Sequence, residues 1–226
     1  MTVLYEDNHI IIVNKSSSEI VQGDKTGDIP LSETVKMYIK EKYHKPGNVF
    51  LGVVHRLDRP VSGVVVFART GKALSRLNEM FRTKEVHKTY WALVKDKPAK
   101  SEGTCCDWMI RNEKQNKSYV SREGVNGAKE AILDYKLIGH TDRYHLLEVQ
   151  LHTGRHHQIR CQLSHMGCPI KGDLKYGSPR SNPDGSICLH ARRVEFVHPV
   201  SKETICVEAP LPDSPVWKGV QLLQES

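Results

Sequence analysis

The sequence predicts an α+β fold: one domain spanning 1–226, with a mixed, mostly antiparallel sheet flanked by helices. Three observations predict it. Short β-prone runs dominate the chain, helical periodicity is interspersed among them, and several runs are joined by turns tight enough to force antiparallel pairing. Val3-Leu4-Tyr5 and Ile10-Ile11-Ile12-Val13 flank Glu6-Asp7-Asn8-His9 and read as a hairpin. Leu31, Val35, Tyr38, Ile39 and Tyr43 recur at helical spacing behind Pro30 and Ser32, and Pro46 and Gly47 are the expected stop.

Val53-Val54-His55 and Gly63–Ala68 read as strands, the second buried on both faces because it barely alternates. Thr70 can cap a helix carrying Ala73, Leu74, Leu77, Met80 and Phe81. Lys88–Val94 returns as a strand. The stretch 101–127 is the most polar region and reads as a lobe boundary or a mobile insertion. Ala131–Ile138 and Tyr144–Leu151 are long β-type runs. Arg155–Met166 reads as a helix, with Thr153 or Gly154 at its start and Gly167 at its end. Val194–Val197 and Thr204–Val207 form another hairpin, and Asp213-Ser214-Pro215 opens a short terminal helix.

Composition narrows the class. The 38% hydrophobic fraction is spread along the chain, which argues against global disorder. No apolar run approaches the roughly 18–20 residues that a membrane span needs. Acidic residues follow the N-terminus where a signal peptide needs its basic region. The expectation is a soluble, cytoplasmic protein. Six cysteines with no C-x-x-C pair are too sparse for a disulfide scaffold. Against 26 Asp and Glu stand 33 Lys and Arg, a net charge of +7 that weakly favours a polyanionic partner.

Two constellations can carry chemistry. In His55-Arg56-Leu57-Asp58-Arg59-Pro60-Val61-Ser62-Gly63 an aspartate lies between two arginines just past a strand, where the cations favour its charged form. That suits a nucleophile or a fixed electrostatic group better than a general acid. Taken alone, a surface turn with a salt bridge explains the same residues. In Leu151-His152-Thr153-Gly154-Arg155-His156-His157-Gln158-Ile159-Arg160, polar groups crowd a helix start, an arrangement that favours anions. Arg155 and Arg160 cannot project the same way, because five residues advance about 500° around a helix. His157, Cys161 and His165 would share one helical face and geometrically admit zinc. No second ligand cluster accompanies them, so packing is the better account.

The blocks HRLDRPVSGVVVFA, KTYWALV, LHTGRHHQIRCQL, MGCPIKGDLKYG and LHARRVEFVHP, in this order, resemble the RluA-type family of pseudouridine synthases from about Leu4 to Pro210. The resemblance implies a catalytic domain with its active-site cleft between two lobes, which isomerises uridines in structured ribosomal or transfer RNA without cofactor or metal. It implies that Asp58 is the catalytic aspartate, that Tyr90 packs on the target base and is a candidate for removing the proton from carbon five, and that Arg160 pairs with the aspartate. Gly172-Asp173 and Tyr176-Gly177 match a structural block near the site, and Leu189 a residue that lines it. His55, Arg56, Arg59, Arg155 and Gln158 are the expected substrate contacts, and Arg192 and Arg193 lie near the same blocks. A carboxylate so placed can attack the anomeric carbon or the uracil ring, or stabilise an oxocarbenium ion while abstracting a ribose proton.

Two departures stand out. Val61 replaces the usual threonine, and Lys15-Ser16-Ser17-Ser18 replaces Lys-Pro followed by a small residue and Gly. The first hairpin begins at residue 3, so the resemblance is to short members that lack an N-terminal RNA-binding domain; a monomer is expected. A non-catalytic RNA-binding module would have lost Asp58, Tyr90 or Arg160, and a nucleoside glycosidase would place two carboxylates rather than one.

Overall fold

Asp7 makes the first turn: its Oδ1 accepts from the backbone N–H groups of His9 (2.7 Å) and Ile10 (2.8 Å), closing β1 (Thr2–Glu6) onto β2 (Ile10–Lys15). The computed structural model describes residues 1–223. Next come α1 (Leu31–Lys42), β3 (Gly52–Val53), β4 (Ser62–Ala68) and α2 (Gly71–Arg82). They are followed by β5 (His87–Val94), β6 (Glu102–Asn112), β7 (Lys117–Ser121), β8 (Lys129–His140) and β9 (His145–Leu151). The chain then forms α3 (Gln158–His165), a 3-10 turn (Leu174–Tyr176), β10 (Leu189–Val197), β11 (Thr204–Glu208), α4 (Pro215–Lys218) and β12 (Gln221–Leu222). The architecture is α+β, with the strand pairs β1–β2, β2–β4, β8–β9 and β6–β8 all antiparallel.

The chain divides into two compact units, Met1–His87 with Ala191–Pro210, and Lys88–His190 with the chain from Leu211 onward. In the first, β2 and β4 are the core strands; β4 is buried at every position, so both of its faces are covered. Thr70 Oγ1 accepts from the Ala73 N–H at 3.2 Å, the cap expected at α2. This sets Ala73, Leu77 and Met80 against Ile10, Ile12, Val64 and Val66. Each fully buried side chain of this kind contributes about 1.5–3 kcal/mol. Gly63 has φ +116° and a Cβ there would lie 2.3 Å from the Ala191 carbonyl oxygen, so only glycine lets the backbones approach.

Three boundaries differ from the sequence reading. The start of α1 is satisfied by backbone, with the N–H groups of Leu31 and Ser32 donating to the carbonyls of Ile20 (2.7 Å) and Val21 (3.1 Å). It ends at Lys42, before Pro46, where His44 takes φ +48°. The third is α3, which begins at Gln158 rather than Arg155, because His157 stands ahead of it in the left-handed region at φ +54°.

In the second unit the strand order is β5-β9-β8-β6-β7, with β12 on β8. The polar stretch 101–127 supplies β6 and β7, paired Trp108↔Ser121 through Asn112↔Lys117. β6 is polar because most of its residues remain partly or fully exposed. Met109, Ala131, Cys161 and Tyr176 form a small core between these strands and α3. No helix among the described residues is long and apolar enough to cross a membrane.

Candidate active site

The loop from Val54 to Val61, between β3 and β4, carries Asp58. Leu57 and Val61 are buried and anchor it from either side, and the Val61 N–H closes a turn on the Asp58 carbonyl at 3.0 Å. Val61 thus packs apolar surface where a threonine would bring a hydroxyl. Beneath the loop lies a residue that the sequence reading missed as a site residue. Lys15 is 0% exposed, and its Nζ donates to the carbonyls of Ser16 (3.0 Å), Arg59 (3.1 Å) and Val61 (2.6 Å). All three ammonium protons are directed at acceptors, two of them on the Asp58 loop. Burial pushes the Lys15 ammonium down to about 8, against the opposing pull of Glu19 and Asp58. The available signal was a lysine ending an otherwise apolar strand, Ile10-Ile11-Ile12-Val13-Asn14-Lys15. Asp58 itself is half-buried.

Two of the expected substrate contacts on this unit make bonds within the protein. His55 Nε2 accepts the Val66 N–H at 2.9 Å, and its ring stacks on Phe81 with centroids 4.9 Å apart. Arg59 reaches Asp28 (2.7 Å), Thr26 (2.9 Å) and Asp24 (3.4 Å), tying down the preceding loop; it holds the Asp28 carboxyl below its ordinary range, while hydrogen bonds from Thr26, with a lesser pull from Arg59, do so for Asp24. Arg56 is exposed.

On the second unit, Tyr90 is 7% exposed in β5, opposite Val149, while the adjacent Trp91 donates Nε1–H to Glu148 at 3.3 Å. Arg160, on α3, forks the carboxylate of Asp173: Nε to Oδ2 at 2.7 Å and Nη2 to Oδ1 at 2.9 Å, with both side chains buried. Its guanidinium lies over the Tyr176 ring, 5.1 Å from the centroid. Asp173, which the sequence reading left in a structural block, is therefore a partner of the predicted catalytic arginine. Gly172, at φ +90°, permits the turn that presents it; a Cβ there would meet the Ser186 carbonyl oxygen at 2.7 Å.

Tyr176 hydroxyl accepts the Ser118 N–H at 2.8 Å and meets His157 Nδ1 at 3.0 Å. Burial pushes the Tyr176 phenol up to about 12. Burial, reinforced by Arg160, His156, Lys175 and Arg111, pushes the His157 imidazole down to about 2, so the ring is neutral. His157 is outside the helix and committed to Tyr176, so the His157/Cys161/His165 face expected from spacing does not form. Among the described residues no group of three His, Cys, Asp or Glu side chains is placed to hold a metal ion.

Gln158, another expected substrate contact, also bonds within the protein. Its Oε1 accepts from Thr153 Oγ1 (2.8 Å) and the Arg155 N–H (2.9 Å), and its Nε2 donates to the Ile132 carbonyl (3.1 Å). Arg155 donates Nε–H to the Glu130 carbonyl at 2.7 Å and is exposed. Leu189 opens β10 and is 4% exposed.

Comparison with known proteins agrees with these blocks. The RNA pseudouridylate synthase family model matches residues 9–165, a range that includes Asp58, Tyr90 and Arg160. An uncharacterised RNA pseudouridine synthase of Bacillus subtilis is 33% identical over 94% of this chain and 69% of its own length. The ribosomal large subunit pseudouridine synthase D of Xanthomonas campestris is 32% identical, over 94% of this chain and 66% of its own. The chain thus spans about two thirds of the curated relatives that it matches. The structure of human RNA pseudouridylate synthase domain containing 4 superposes with a TM-score of 0.79 at 25% identity, covering 94% of this chain and 89% of that one. A model match across most of the chain, relatives above 30% identity and a shared fold lead to one assignment: the chain belongs to the RNA pseudouridylate synthase family.

Proposed function

We propose that this chain is an RNA pseudouridine synthase, an isomerase acting on chosen uridines of ribosomal or transfer RNA in the cytoplasm as a monomer, with Asp58 as its catalytic carboxylate. Relatives named as large-subunit ribosomal RNA synthases favour ribosomal RNA as the substrate. The observation that carries the reading is the buried Lys15 ammonium, which holds the carbonyls of Arg59 and Val61 and so fixes the backbone that presents Asp58. A reactive carboxylate needs a fixed position more than a strong base, because orientation supplies much of the rate.

In this reading the bond from ribose C1′ to uracil N1 breaks and a bond from C1′ to C5 forms. C5 loses its proton and N1 gains one, so the reaction balances without an oxidant, a reductant or water. Asp58 supplies the negative charge or nucleophilic oxygen at the ribose or the ring. Arg160, forked to Asp173, is the arginine that the family resemblance assigns to the catalytic carboxylate. Tyr90 stacks on the uracil, which must leave its helix to react, and takes the C5 proton. Arg56 and Arg155, both with exposed heads, contact phosphates, and Leu189 lines the base pocket.

Mapping pseudouridines in total RNA from a strain lacking this chain, against its parent, tests the reading. At least one position should lose its modification, and a plasmid copy should restore it, whereas an Asp58→Asn copy should not. Identical maps, or restoration by Asp58→Asn, would overturn it.

A further inference from the structure

The β6–β7 hairpin and the 3-10 turn beside it carry a charge pattern that the chemistry above does not use. Several cations of the chain sit on carboxylates: Arg59 on Asp24 and Asp28, Arg160 on Asp173, Arg192 on Glu208. Among the described residues, none of Arg111, Lys114, Lys117 and Lys175 is ion-paired with a carboxylate, and three of the four are exposed. They also belong to one rigid piece. Lys175 Nζ donates to the carbonyls of Gln115 (3.4 Å) and Asn116 (3.0 Å), and His156 joins the same tip through Asn116 Oδ1 (3.1 Å) and Ser118 Oγ (2.9 Å). Lys117 Nζ sits 5.1 Å from the centroid of the exposed Tyr119 ring, placing a stacking surface beside a cation. The field of this group reaches inward as far as the buried His157, which Lys175 and Arg111 help to keep neutral.

Unneutralised cations on a rigid scaffold, with an aromatic among them, match an RNA strand better than an acidic protein surface: phosphates pair with the cations and a base stacks on the ring. We propose that the β6–β7 hairpin tip, together with Lys175, is the surface on which the phosphate backbone of the substrate RNA docks, outside the residues that act on the uridine. This rests on the isomerase reading only for the identity of the RNA.

The test uses the full chain and an unmodified transcript of large-subunit ribosomal RNA. Arg111→Gln with Lys114→Gln is compared with Lys97→Gln with Lys100→Gln, a pair of exposed lysines elsewhere on the same unit. Each lost phosphate contact lowers the slope of log affinity against log salt by about 0.7–0.9, so the hairpin pair should lower it by about 1.4–1.8 and weaken binding at least tenfold at 50 mM salt. Its single-turnover rate at saturating enzyme should stay within about twofold of the parent, because the reacting groups are untouched. A hairpin pair that binds like the control pair, or one that binds normally but turns over slowly, would overturn the proposal. If the parent chain forms no pseudouridine, the isomerase reading falls, and the binding arm still decides the docking surface.

Discussion

Arg160 grips Asp173 through two parallel hydrogen bonds, and the pair is buried, with 7% and 1% of the two side chains exposed. A planar fork on a carboxylate fixes the guanidinium in orientation as well as in place. It therefore matters for stability and for anything else that Arg160 touches.

Asp173→Asn should destabilise the protein by about 3–5 kcal/mol, since it sets an amide against a buried cation and leaves the charge uncompensated. Urea unfolding read by tryptophan fluorescence measures this. A loss below about 1 kcal/mol would show that the fork adds little.

Arg160→Lys keeps the charge but loses the fork. Single-turnover pseudouridine formation should fall by about 10²-fold while RNA affinity stays within about twofold of the parent, because misplacement by an ångström has that effect on rate. A parental rate with weakened binding would make Arg160 a phosphate contact instead.

Lys15 gives a pH signature. Its folded value of about 8 lies below the ordinary 10.5, so between these values the unfolded chain binds more protons than the folded one. This contribution to stability is present above pH 10.5 and is lost as pH falls through 8. Measured as parent minus Lys15→Met, which cancels the other titrating groups, stability should rise between pH 8 and 10. The same variant should be less stable than the parent throughout, because carbonyls of Ser16, Arg59 and Val61 lose their donor. A difference that is flat with pH would contradict the burial argument.

His157 should stay neutral across the working range. Its ring resonances should not titrate between pH 5 and 8, because burial and neighbouring cations push it down to about 2. Titration with a midpoint near 6.5 would place the ring in solvent.

The sequence made most elements legible, because their signals are local. Asp7 turns the first hairpin, Thr70 caps α2, and Pro215 opens α4. What was not legible depends on partners distant in sequence. The start of α3 is set by Gln158 bonding back to Thr153 and across to Ile132, which no helical period encodes. β6 was obscured because a half-exposed strand has the composition of a loop. In the site, the order of the motifs made Asp58, Tyr90 and Arg160 nameable. The scaffold roles of His55, Arg59 and Gln158 were not, since a polar side chain that holds backbone looks the same in sequence as one that waits for substrate. Lys15 and Asp173 were missed for the same reason, each working on a loop that folds against it.

The central claim is that Asp58 carries the chemistry, and Asp58→Asn tests it most directly. Purified variant and parent would be mixed in excess over an unmodified ribosomal RNA transcript, and pseudouridine counted in a single turnover. The amide preserves shape and RNA binding but removes the charge and the nucleophilic oxygen, so the rate should fall by several decades while affinity changes less than about threefold. A variant that turns over within about tenfold of the parent would contradict the account.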